Sequence, residues 1–112
     1  IHSLYVVYQG EDLIGFVQAR TEKGLFGLDE IIWILGVDMT LTEFKFQKNR
    51  SGAISQSMMH RLTKILAGAD LMALTNVLKT EPDLNHRDRA IIGSAVKALF
   101  ITKAIWPGVQ NS

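Results

Sequence analysis

The sequence predicts an α+β fold: an N-terminal β-hairpin and small antiparallel sheet with a short helix, followed by three helices packed on it. Two observations lead there. Residues 3–50 hold short runs rich in β-branched and aromatic residues, punctuated by turn residues. Beyond Ser51 the apolar residues recur with the helical period of about 3.6 instead of the alternation of a strand. Strands first and helices second is the α+β order. The 112 residues read as one domain, strand-rich over 3–50 and helical over 53–105, with a tail at 107–112.

Ser3 to Gln9 (SLYVVYQ) and Leu13 to Arg20 (LIGFVQAR) form the hairpin, joined across Gln9-Gly10-Glu11-Asp12. Glu22-Lys23-Gly24 is a second turn, and Leu25 to Leu28 is a short third strand or its stub. Asp29 reads as a helix cap, and Glu30 puts negative charge where a helix start favours it. A short helix then runs from Glu30 to Leu35 and stops at Gly36. Ile31, Ile32, Trp33, Ile34 and Leu35 make it apolar on all sides, so it must be mostly buried. Thr40 to Lys48 alternates, with Phe44 and Phe46 on one face and Glu43, Lys45 and Gln47 on the other, which is a half-buried strand ending at Asn49-Arg50-Ser51-Gly52.

Three helices are expected near 53–67, 70–79 and 86–104. In the first, Ile54, Met58, Met59, Leu62, Ile65 and Leu66 share one arc, while Gln56, His60, Arg61, Thr63 and Lys64 share the other. Gly68-Ala69-Asp70 breaks this helix and caps the next. Glu81-Pro82-Asp83 is a loop, because proline disfavours helix in the residue before it. Asn85 caps the third helix, with Asp88 as a variant capping-box partner. Ile91, Ile92, Ala95, Val96, Leu99 and Phe100 form its apolar stripe, and Gly93 and Ser94 leave room for a neighbour. Lys103 falls inside the stripe, where the helix is expected to fray or the side chain to snorkel, before Pro107-Gly108 stops it.

The apolar fraction of 47% is enough for a core without disulfides or metal, and the absence of cysteine excludes disulfide frameworks, zinc fingers and cysteine nucleophiles. No apolar run reaches the roughly 18–20 residues of a membrane span, and the first residues lack the pattern of a signal peptide. A cytoplasmic protein making no membrane contact is the expectation. The net charge of +1 conceals an asymmetry. Residues 1–43 hold two bases against seven acids, and residues 44–112 hold ten bases against four acids. This pattern marks either a nucleic-acid face or two halves that attract each other within one fold.

The sequence carries no recognisable catalytic motif. His60 and His86 have no ligand-forming partner at helical spacing, so no metal and no cofactor are expected. There is no nucleophile elbow or phosphate loop, and the adjacent acids Glu11-Asp12 and Asp29-Glu30 read as a turn and a helix start. The helices meeting at Gly68 invite a helix-turn-helix test, but the second offers only Thr75, Asn76 and Lys79 as polar readers. The better basic surface combines Lys45, Lys48 and Arg50 with Arg61, Lys64, Arg87 and Arg89, supplemented by His60 and Lys97.

The stretch Leu25-Phe26-Gly27-Leu28-Asp29-Glu30-Ile31-Ile32-Trp33-Ile34-Leu35-Gly36 follows a β-hairpin. With it, residues 3–37 resemble the BRO-N domain of phage antirepressors and viral BRO proteins, in which an aromatic-containing strand leads into a short helix ending in Leu-Gly. The matching features are Phe26, Glu30 and Leu35-Gly36; the apolar Ile31 to Ile34 and Val37 in place of an aromatic depart from that pattern. The resemblance implies DNA binding or regulatory protein contact in phages and mobile elements. The resulting expectation is a non-enzymatic regulatory domain that binds nucleic acid through its basic second half. The alternative is a protein-binding inhibitor or adaptor that uses the acidic hairpin or an exposed apolar patch. A homodimer fits either.

Overall fold

A computed structural model describes residues 2–24, 27–50 and 53–106. Four strands, β1 (His2–Gln9), β2 (Asp12–Lys23), β3 (Leu28–Leu35) and β4 (Leu41–Asn49), form one antiparallel meander in the order β1-β2-β3-β4. Three helices, α1 (Gln56–Leu66), α2 (Leu71–Thr80) and α3 (His86–Ile105), follow and make a second layer on one face of the sheet. The α+β class, the first hairpin and the three helices are as the sequence predicts, except that α1 starts at Gln56 after its Ser55 cap, so Ala53 and Ile54, expected inside it, precede it. The assignments to Leu25, Phe26, Ser51, Gly52, the Pro107-Gly108 stop and the tail lie outside the described residues.

The short helix expected over Glu30 to Leu35 is instead strand β3. Its buried residues alternate: Asp29, Ile31, Trp33 and Leu35 face the helices, and Glu30, Ile32 and Ile34 face the other way. Three isoleucines and a tryptophan in six residues suit a pleated surface better than a helix. Asp29 is not a cap, and Gly36 stops no helix. Gly36 begins the β3–β4 turn, where its N–H donates to the Thr40 carbonyl. In that turn Met39 holds a left-handed φ of 62°, which places its side chain in the core.

The helices begin where side chains accept from their free N–H groups. Ser55 takes Met58 N–H, Asp70 takes Ala73 N–H and Asn85 takes Asp88 N–H. The start of β4 is tied to the α1–α2 connection, because Leu41 N–H donates to Ala69 and Gly68 N–H donates to Leu41. Three details of α3 differ from the sequence pattern. Phe100 lies outside the buried stripe and is 61% exposed; Ala98 and Thr102 are buried in its place. Gly93 faces open space, and only Ser94 meets a neighbour. Lys103 is exposed, and the helix continues unfrayed through Ile105.

The core joins Phe16, Ile31, Trp33, Leu35 and Leu41 of the sheet to Leu62, Leu66, Leu74, Ile91, Ile92 and Leu99 of the helices. Trp33 is fully buried, stacks on Phe44 at 5.4 Å and donates its indole N–H to Ser94 Oγ at 3.0 Å. Replacing Trp33 by Ala is expected to cost about 3–5 kcal/mol in urea denaturation, and a loss below about 1 kcal/mol would show that it does not anchor the core.

Candidate interaction surface

Between the sheet and α3 runs a buried polar seam. Gln18 donates its amide to the Ala98 carbonyl at 3.0 Å and to the Thr102 hydroxyl at 2.9 Å. Two residues along β2, Arg20 binds Glu22 at 2.8 Å, and Lys97 approaches the same carboxylate at 3.7 Å. Burial works to raise the Glu22 carboxyl. The Ser94 and Arg20 hydrogen bonds and the charges of Arg20 and Lys97 outweigh it, so its pKa lies below the ordinary value. His2, across from Arg20, is also held below its usual value, first by desolvation and then by the Arg20 charge. This seam seats α3 on the sheet. Its groups are occupied with one another, except for Arg20 Nη1, which is buried with no hydrogen-bond partner among the described residues.

The seven cations expected to meet phosphates are distributed over different parts of the molecule. Arg61 of α1 makes two hydrogen bonds, at 2.9 and 3.2 Å, to the buried carboxylate of Asp88. These bonds, and then the charge of Asp88, hold its guanidinium above the ordinary pKa. The Asp88 carboxylate expected to complete a capping box is thus engaged by Arg61. Arg87 reaches the Ala53 carbonyl at 3.2 Å and Asp29 at 3.9 Å. Arg89 turns to the end of α2 and donates to the carbonyls of Leu78 and Glu81. Lys48 pairs with Glu30 across β3 and β4 at 3.3 Å. Lys45, Arg50 and Lys64 are exposed, with no ion-pair partner among the described residues.

Other motifs from the sequence have structural places. His60 and His86 are exposed, and no group of three metal-ligating side chains occurs among the described residues. In α2 Leu74 is buried and Thr75 bonds back to the Leu71 carbonyl, so this helix packs against the core along one side. Glu11 and Asp12 are exposed at the hairpin tip. Among the described residues, no helix is long and apolar enough to cross a membrane.

The surface that sequence reasoning missed is the sheet face turned away from the helices. The strand register aligns its residues in rows. Tyr5, Val17, Ile34 and Glu43 stand side by side across the four strands. Ser3, Ala19, Ile32 and Lys45 form the neighbouring row. Val17, Ala19, Ile32 and Ile34 therefore make an apolar centre over which no described element packs. Tyr5, 58% exposed, extends it over β1, and Glu43 and Lys45 edge it along β4. Toward one end, a shallow depression is bordered by Thr21, Leu28, Glu30 and Arg50. The available signal was alternation in β3, hidden because residues of both parities are apolar.

No protein-family model matches the chain, and no curated protein matches its sequence. In the stretch on which the BRO-N resemblance drew, Leu28–Leu35 is strand β3, with Gly27 and Gly36 outside it.

The charged contacts make Arg61 and Lys64 unequal. Both project from the polar arc of α1, and the sequence alone expects either to be replaceable with little effect on stability. The pairing with Asp88 corrects this for Arg61: Arg61→Ala strands a buried carboxylate and should lower the thermal midpoint, while Lys64→Ala should change stability by less than about 0.5 kcal/mol. Equal midpoints for the two variants would refute the distinction.

Acid acts on the seam through Glu22. This residue titrates below its ordinary 4.5 in the fold, so its contribution to stability is complete above that value and disappears as pH falls through the folded pKa. The deficit of Glu22→Gln relative to wild type should be largest at neutral pH and shrink on acidification. Urea titrations at stepped pH measure it, and a deficit independent of pH would rule out the linkage.

Proposed function

We propose that this domain is a protein-binding module whose contact surface is the open face of its sheet. The observation that carries the reading is the apolar centre formed by Val17, Ala19, Ile32 and Ile34, rimmed by Glu30, Glu43, Lys45 and Lys48. An apolar patch with a polar margin is the anatomy of a protein interface. The face is also held rigidly by ladder hydrogen bonds and by the helices behind it, so docking orders few groups.

The seven cations favour this reading over nucleic acid. Phosphate binding needs free, convergent positive charge. Arg61, Arg87, Arg89 and Lys48 already serve carboxylates or carbonyls within the fold. Lys45 and Lys48 belong to the open sheet face, whereas Arg61 and Lys64 stand on the helical layer.

Site-specific photocrosslinking tests the proposal. A photoreactive residue at position 19 or 32 should give protein adducts in cells, and the same residue at position 60 should not. A nucleic-acid titration runs beside it. Absence of adducts from the sheet positions, or salt-sensitive nucleic-acid binding that Lys45→Ala and Arg50→Ala weaken, would overturn the reading.

A further inference from the structure

We infer that the partner on the open face is a second copy of this chain, packed sheet to sheet about a two-fold axis that crosses the strands. This rests on the reading of that face as a protein contact surface and goes beyond it by naming the occupant.

The inference comes from the two central rows and what a two-fold axis does to them. The axis lies midway between the stacked sheets, perpendicular to the strands and halfway between the rows. Rotation about it lays each strand over its own copy, running the opposite way, and exchanges one row for the other. Tyr5 then faces Ser3 of the second copy, and Val17 faces Ala19, so a large side chain meets a small one at both places. Ile34 faces Ile32, and Glu43 faces Lys45. Every contact occurs twice, because an isologous interface repeats each pair by symmetry.

The rows are therefore complementary to each other in size and in charge. Two sheets packed face to face sit about 10 Å apart, and alternating large and small residues let their side chains interdigitate at that spacing. The row exchange supplies this alternation over β1 and β2 and a matched isoleucine pair over β3. At the β4 margin it places an acid against a base, and its repeat places the base against the acid. An axis lying on either row instead would set Glu43 against Glu43 or Lys45 against Lys45, which repels. Charge thus selects one alignment from those that the apolar centre would tolerate.

The charge pair also provides the test. Sedimentation equilibrium of the full 112-residue chain over a concentration series should give a monomer–dimer equilibrium. Glu43→Lys sets Lys against Lys45 at two places per dimer, and Lys45→Glu sets Glu against Glu43. Each should weaken dimerisation by about tenfold or more. The double variant Glu43→Lys/Lys45→Glu restores both pairs within one homodimer and should recover dimerisation close to wild type. Lys64→Glu, on the helical layer, should leave the equilibrium unchanged, and circular dichroism confirms that each variant is folded. A chain that stays monomeric throughout overturns the inference. So does a dimer indifferent to both single reversals, or one that the double reversal does not rescue. If the chain is monomeric while positions 19 and 32 still crosslink to a different protein, the second copy is excluded and the protein-contact reading stands.

Discussion

The Gln18 amide, donating from the middle of β2 to the Ala98 carbonyl and the Thr102 hydroxyl, fixes how α3 lies on the sheet. A buried amide needs its partners, so sliding or rotating α3 would leave donors without acceptors in a low-dielectric interior. The same constraint is repeated along the helix. Trp33 donates to Ser94, Ser94 and Arg20 hold Glu22, and Lys97 closes on that carboxylate. Ser94, Ala95, Ala98 and Thr102 are all small and buried, which lets α3 come close enough for these bonds to form. The remaining helices then pack on α3. Arg61 pins α1 to its first turn through Asp88, and Arg89 holds the last carbonyls of α2.

This arrangement explains the charge asymmetry of the sequence. Lys48–Glu30, Arg87–Asp29 and Lys97–Glu22 each join a base of the second half to an acid of the first. Asp29 and Glu22 lie on the helix-facing side of the sheet and meet residues of α3. Attraction between the halves is therefore part of how the helical layer is seated. Exposed pairs such as Lys48–Glu30 contribute little to stability, whereas the buried carboxylates of Asp29 and Asp88 require their arginines.

Much of this fold is legible in sequence wherever one side of an element faces water. The first hairpin is marked by its turn at Gly10, and the helices by Asp70, Asn85 and their apolar arcs. The candidate surface is harder to read, because a row across a sheet joins residues far apart in the chain. Ser3, Ala19, Ile32 and Lys45 become neighbours only once the register is known. The roles of the cations are hidden for the same reason: Arg61 meets its carboxylate 27 residues away. Phe100 is a different case, since helical periodicity places it beside Leu99 but does not say how wide the covered stripe is.

The misleading segment is also the informative one. Ile31 to Leu35 looks like a buried helix because every position is apolar. In a strand with one face in water, Ile32 and Ile34 would be polar. The edge strand β4 follows that rule, with Glu43 and Lys45 opposite the inward-facing Phe44 and Phe46. The inner strands do not: β3 presents Ile32 and Ile34 outward, and β2 presents Val17 and Ala19 beside them. Near-continuous apolar runs belong to strands covered on both faces. The helices cover only one face here, at Phe16, Ile31, Trp33 and Leu35. The outward residues of β2 and β3 thus have the apolar character of strands covered on both faces, and this is the feature on which the proposed contact surface rests.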